Sequence, residues 1–321
     1  MAEAQPILVP FTECALFLVV TVERGHEDEV RDVLAGASGL RRSVGFRFPE
    51  AELTLVTGVG SEAWDRLFGA PRPAELHAFK ALDGPVHSAP STPGDLLFHI
   101  RSHRQDLCFE LTQRLMERLS GHVRVEDEVY GFRSFDQRDL LGFVDGTENP
   151  EGAEAVDAVV VGEEDAAFAG GAYVIVQKYV HDLQSWDALT IEQQEAAIGR
   201  LKLSDIEIPD EEKAPDSHVA LNVIEGPDGE ELEIVRYNMP FGRAAAGEFG
   251  TYFIGYSRTP AITEQMLENM FTGTPHDRIL DFSTALTGTL FFVPGAEFLD
   301  DPPEPPAKAP DDGSLGIGGF R

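Results

Sequence analysis

Cysteine is scarce in this chain. Only Cys14 and Cys108 occur, and neither belongs to a CxxC or CxxCH pattern, so neither a zinc ribbon nor a covalently attached c-type haem is indicated. Two isolated thiols suit a reducing cytoplasm and read as small buried apolar side chains. Basic residues are also few, 25 Lys and Arg against 56 Asp and Glu, for a net charge of -31. A surface of that sign repels phosphate backbones, so nucleic acid is not an expected partner. It reads first as a solvated face and second as a field that draws in cationic substrates or metal ions. No run of about 18 uncharged apolar residues occurs, so no membrane span is expected. The opening MAEAQPILVPFTECALFLVV lacks a basic leader region and carries Glu3 and Glu13. It reads as a leading strand rather than an export signal, which places the protein in the cytoplasm.

What is present is a strand and helix alternation that runs twice through 321 residues. CALFLVVTV is apolar and β-rich. HEDEVRDVLAGASGLRRSV puts Val30, Val33 and Leu34 on one side of a helix. AELTLVTGVG is a second strand, and GSEAWDRLFG starts a short helix with Ser61 as its N-cap. DLLFHIRSH is a strand, QDLCFELTQRLMERL carries Leu107, Leu111, Leu115 and Leu119 four apart, and VRVEDEVYGFRSF is strand-like. From about Gly170 the theme returns. GAYVIVQKYVHDL and GTYFIGYSR are strands, and WDALTIEQQEAAIGR and TEQMLENMF are helices. The pattern predicts an α+β fold made by duplication, with halves at 1–140 and 141–299 joined near 136–165. Residues 300–321 differ. Prolines at 302, 303, 305, 306 and 310 make an extended spacer that cannot bury enough surface to order itself, followed by a small apolar tip with Leu315 and Ile317.

Three segments carry candidate chemistry. LLGFVDGTENP sets Gly142 and Gly146 about Asp145, which allows a backbone to approach a flat ligand and hold one carboxylate over it. Asn149-Pro150 marks a turn, and a bare G-x-x-D-G is more often an ordinary turn. DSHVALN presents His218 after a polar loop, and a lone histidine is more often a surface or satisfied core residue than a ligand. EIVRYNMPFG places Arg236 and Asn238 two apart on a strand, hence on one face, which suits a small polar ligand; the alternative is a surface strand whose arginine pairs with one of the many acids. His99 and His103 in HIRSH have the spacing of a zinc helix. The general-base Glu is absent and the segment reads as a strand end, so a zinc site is rejected there.

In this order GFVDGTENP, the later His218 and RYNMPFG resemble the dye-decolorizing peroxidases, most closely the bacterial B-type, over residues 7–298. The resemblance implies two ferredoxin-like halves of the dimeric α+β barrel type. Each half would be a four-stranded antiparallel sheet with helices packed on it. It implies haem b in the C-terminal half with His218 as proximal iron ligand. Asp281 is the candidate carboxylate behind that imidazole, its alternative being a helix-start or surface acid. Asp145 would move the proton of H2O2, Arg236 would stabilise developing negative charge and Asn238 would position water or peroxide. Gly146 and Thr147 are expected against the cofactor, and Arg200 at a propionate. Glu148, Glu207 and Glu231 could gather at that edge to hold Mn2+, or serve only as solvated acids. Tyr237, Tyr252, Trp64 and Trp186 are electron relays in one reading and packing in the other. Phe291 and Phe292 line the pocket or fill the core.

The tail has a resemblance of its own. DGSLGIGGF is similar to the peptides that load cargo enzymes into encapsulin shells, which implies docking through Leu315 and Ile317 and location inside a cytoplasmic nanocompartment. The function expected from these resemblances is peroxide reduction coupled to oxidation of dyes, phenols or other one-electron donors by a homo-oligomer. Release of iron from haem, as in deferrochelatases, and storage or sensing of haem without turnover are the alternatives.

Overall fold

A computed structural model of the chain describes residues 3–303, apart from Thr147 and Asp228. Thr147, Leu315 and Ile317 therefore lie outside the described residues. The first half runs β1 (Cys14–Val22), α1 (Glu27–Gly45), β2 (Thr54–Gly60), α2 (Ser61–Leu67), a ribbon of β3 (Leu82–Asp83) and β4 (Ser88–Ala89), β5 (Leu96–Ser102), α3 (Gln105–Leu119) and β6 (Val123–Phe132). The second runs α4 (Gly152–Val159), β7 (Ala172–His181), α5 (Leu183–Asp187), α6 (Ile191–Ile198), α7 (His218–Asn222), β8 (Val235–Arg236), β9 (Met239–Arg243), β10 (Glu248–Ser257), α8 (Pro260–Thr272), β11 (Ser283–Ala285), β12 (Thr289–Val293) and α9 (Ala296–Asp300).

The strands of each half form an antiparallel unit, in the order β6-β1-β5-β2 and β12-β7-β10-β8. The units join edge to edge through β2 and β12, where Phe291 pairs with Gly60 and Phe292 with Val59. Gln5 clasps the seam. Its amide donates to Thr57 O and Pro294 O, both at 2.9 Å, and accepts from Thr57 N at 2.8 Å. At the other end β6 approaches β9 so closely that a Cβ on Gly131 would lie 2.6 Å from that of Met239, so the sheet curls towards closure.

β1 explains the unbroken apolar run in its sequence. Phe17 and Val19 face the inside of the curled sheet with Val174, Tyr252 and Phe291. Leu16, Leu18 and Val20 face α1 and α3. A strand covered on both faces has no polar side to show. In α3 all four leucines of the predicted stripe are buried, each worth ~1.5–3 kcal/mol relative to exposure. Trp64, Trp186, Phe291 and Phe292 are completely buried, and Tyr252 and Tyr237 nearly so, so all six pack in the core.

Two local expectations change. Gly60, not Ser61, is the N-cap of α2, because its N–H is engaged by Asp95 O and the chain passes directly from strand to helix. The segment WDALTIEQQEAAIGR is two helices rather than one. Thr190 interrupts it by forming a capping box with Gln193 and starting α6 afresh. HIRSH lies on β5 and its end, where His99 bonds the Tyr256 hydroxyl at 2.8 Å and His103 pairs with Glu13 and Glu52. The two histidines thus bond different partners. Cys108 is buried and Cys14 half-buried, and both are free thiols. No described helix is long and apolar enough to cross a membrane.

Candidate active site

A cavity opens in the C-terminal half, with about 1130 Å³ of empty space when its open mouth is counted. Leu141, Phe143, Ile198, Val219, Ile234 and Phe253 give it apolar walls, and His218, Asp145, Arg236, Asn238 and Arg200 are among its polar lining. Such a container suits a large flat ligand with a few oriented polar contacts.

His218 opens α7 behind its cap Ser217, which is fully buried. Its Nδ1 lies 2.7 Å from Oδ2 of Asp277, a carboxylate with no solvent exposure. An ionised carboxylate only accepts, so Nδ1 carries the proton and the Nε2 lone pair is left for the cavity. Asp277 is itself fixed. Its Oδ1 accepts from Ile279 N at 3.0 Å, and its backbone N–H donates to Met270 O at 2.9 Å. The expected partner Asp281 is corrected here. It stands at the far end of the single turn that Asp277 caps, its side chain 43% exposed, and its Oδ1 accepts from His87 and His276. An Asp directly before a short helical turn is the sequence signal for Asp277, a position that favours an inward-held cap.

Asp145 sits in a turn that demands glycine on both sides. Gly142 has φ +92° and Gly146 φ +86°, and a Cβ on Gly146 would come within 2.6 Å of the Phe11 ring. Asn238 Nδ2 lies 3.3 and 3.0 Å from the two Asp145 oxygens, and its own Oδ1 accepts from Ile254 N at 3.0 Å. That backbone bond fixes which end of the amide faces the carboxylate. Arg236 and Asn238 both reach the cavity, as their spacing requires. Tyr237 between them turns to the core and donates to Val9 O at 2.9 Å.

Asn149, read in the sequence only as a turn marker, does more. Its Nδ2 donates to Arg236 O at 2.7 Å and its Oδ1 accepts from Arg236 N at 2.9 Å. The Asp145 turn and the Arg236 strand are thereby stitched together. The Arg236 Nε is buried without a hydrogen-bond partner, and Arg236 has no ion pair among the described residues. Asp139 was also missed. It lines the same cavity, and burial, reinforced by the neighbouring Asp145 charge, raises its carboxyl to about 7.

Arg200 lines the cavity already paired, with Glu148 at 2.5 Å, Asp205 at 3.2 Å and Glu207 at 3.5 Å. Lys213 pairs with Glu207 and with Asp210. Burial and the charges of Glu148 and Glu207 raise the Glu231 carboxyl. The three acids expected to meet do share a neighbourhood. Their oxygens are nevertheless not among the groups that converge to metal-ligand spacing in the described residues, and Glu148 and Glu207 are already paired with Arg200. Gly146 lines the cavity as expected.

The residues fit a planar metal cofactor. One imidazole offers an open nitrogen with a buried carboxylate behind it, and the orphaned guanidinium nitrogen of Arg236 is a donor still lacking an acceptor. The imidazole with its buried carboxylate, facing a cavity also lined by Asp145 and Arg236, together with the fold defines the class of α+β-barrel haem peroxidases.

The chain belongs to the Dyp-type peroxidase family. Family models described as Dyp-type peroxidase, N-terminal and Dyp-type peroxidase, C-terminal match residues 4–133 and 136–298. A dye-decolorizing peroxidase of Rhodococcus erythropolis is 58% identical over 99% of this chain and 96% of its own. An encapsulated DyP-type peroxidase from Mycobacterium smegmatis superposes with a TM-score of 0.94 at 59% identity, covering 95% of this chain and 100% of that one. A haem complex of a Rhodococcus jostii RHA1 DypB variant gives a TM-score of 0.91 at 51% identity, covering 93% and 98%. A deferrochelatase of Escherichia coli matches at only 26% identity over 78% of this chain and 67% of its own. The chain is therefore an enzyme, a peroxidase of the dye-decolorizing type.

Proposed function

We propose that the cavity holds haem b through His218 Nε2, and that the protein reduces H2O2 while oxidising dyes, phenols or similar one-electron donors. The observation that carries this reading is the pairing of His218 Nδ1 with the buried Asp277, which leaves Nε2 to the cavity that Asp145 also lines. When bound, haem supplies the electrons that cleave the peroxide bond and the oxidising power that is passed on to donors. The protein supplies the proton work. Asp145 takes the proton of one peroxide oxygen and returns it to the other, which departs as water. Asn238 holds the carboxylate by its amide and keeps it aimed. Arg236, which makes no ion pair among the described residues, presents a fixed positive charge to the oxygen on which negative charge grows. The anionic Asp277 holds the proton on His218 Nδ1 and makes the ring a stronger donor.

Absorption spectra of wild type and His218→Ala after haem loading test the assignment. A Soret band that weakens or shifts strongly in the variant supports it, and identical spectra would overturn it. Mixing the wild type with H2O2 and a dye separates turnover from haem storage, in which the spectrum and the dye stay unchanged. Iron release in place of dye oxidation would mark the deferrochelatase chemistry.

The Pro-rich segment and the tip with Leu315 and Ile317 are proposed as a tether and docking peptide for an encapsulin shell. Small apolar side chains separated by glycine fit shallow pockets, and many copies on one wall add avidity to a weak contact. The encapsulated Mycobacterium smegmatis relative supports this reading.

A further inference from the structure

Away from the cavity, His87, His276 and Asp281 converge. Both imidazole Nε2 atoms point at the same carboxylate oxygen, Asp281 Oδ1, at 2.9 and 3.1 Å. Their rings meet edge to face with centroids 4.9 Å apart, and one ligand atom from each of the three residues lies within 4.8 Å of the others. The side chains are 23%, 28% and 43% exposed. The cluster is thus half-sheltered and still open to solvent on one side.

We propose that these three residues form a binding site for a divalent metal ion that prefers imidazole, with Zn2+ as the reference ion. Two neutral imidazoles and a carboxylate are the donor set that Zn2+ takes, with water in the remaining position. Without an ion, each Nε2–H donates to the carboxylate. With an ion, each ring shifts to the tautomer that carries its single proton on Nδ1 and presents the Nε2 lone pair, so neither imidazole changes charge. Closing the ligand atoms onto one ion asks only for small side-chain movements from the spacing already present. The overall charge of -31 favours cation uptake.

The location gives the site a structural consequence. His87 belongs to the turn of the β3–β4 ribbon in the first half, where Gly84 N donates to His87 O at 3.0 Å. The ribbon packs directly on the end of α8, where a Cβ on Gly84 would fall 1.8 Å from Phe271 O. His276 and Asp281 bracket the turn that Asp277 caps. An ion here ties the first half of the chain to the segment that carries the partner of His218. A second histidine pair, His26 and His122, faces Nδ1 to Nδ1 at 2.9 Å, with the Glu29 carboxylate 4.0 Å from His26. It lacks a carboxylate oxygen common to both rings and is the weaker arrangement.

The test is calorimetric titration of Zn2+ into the untagged, full-length, haem-loaded protein after chelator treatment. Wild type, His87→Ala and Asp281→Asn are compared. Each variant is expected to bind one Zn2+ fewer per chain than wild type, or to bind it at least about tenfold more weakly. Zn2+ is expected to raise the Tm of wild type more than that of either variant. The Asp281→Asn side chain keeps its shape, so it reports on ligation even if His87→Ala disturbs the ribbon. Absence of Zn2+ uptake by wild type, or equal stoichiometry and affinity in all three proteins, overturns the proposal. Because the readout is metal binding rather than turnover, its failure is distinguishable from failure of the peroxidase reading.

Discussion

His218 and Asp277 meet through Nδ1 and Oδ2 at 2.7 Å, in a pair whose carboxylate is wholly shielded from solvent. A buried acceptor behind a ligand imidazole makes the imidazole more electron-rich and stabilises a high oxidation state of the metal it binds. Asp277→Asn is therefore expected to raise the reduction potential of the haem-loaded protein and to lower kcat/KM for H2O2 about 10- to 100-fold. Spectroelectrochemical titration reads the potential, and a value equal to that of wild type would dismiss the partnership.

Asn149→Ala should act on a residue it does not resemble. It removes both hydrogen bonds that fix the Arg236 backbone, at an expected cost of about 1–3 kcal/mol of stability. Displacing the guanidinium should reduce kcat/KM for H2O2 by about 10- to 100-fold while haem content is kept. Denaturant unfolding and stopped-flow mixing measure the two effects. Loss of stability with an unaltered peroxide rate would remove Asn149 from the positioning of Arg236.

The Asp139 carboxyl gives a pH signature. Its value is raised from 3.8 to about 7 by burial and then by Asp145. Across that interval the folded chain holds a proton that the unfolded chain has released, so stability falls as pH rises through it and levels off above. Asp139→Asn removes the titrating group. Its Tm is expected to change less than that of wild type between about pH 4 and pH 7, as followed by calorimetry in a series of buffers. Parallel curves for the two proteins would count against the raised value.

A chain ended after residue 311 lacks Leu315 and Ile317. It is expected to oxidise a small dye at the wild-type rate and to stop co-purifying with an encapsulin shell expressed beside it. Retention in the shell would show that docking uses some other surface.

Much of the architecture was legible because it is written locally. The leucines four apart in α3 and the two-sided apolar run of β1 are repeated nearest-neighbour patterns, and both became the elements they predict. Asp145, His218, Arg236 and Asn238 do share one cavity, as three ordered motifs suggested. What escaped depends on which of two similar groups turns inward, or on contacts far apart in the chain. Asp277 and Asp281 are separated by one helical turn, and only the fold decides which faces His218. Arg200 carries the charge expected of a cofactor contact, yet sequence cannot reveal that three acids already surround it. The pairing of Gly60 with Phe291 leaves no local trace in either segment. Asn149 looked like punctuation because its partners are backbone atoms, which carry no identity.

The seam between β2 and β12 also sets an order of events during synthesis. β12 and the turn that holds Asp277 leave the ribosome after most of the polypeptide, yet they complete a sheet begun by the first fifth of it. Until they arrive the nascent chain has an unpaired edge and an imidazole without its acid.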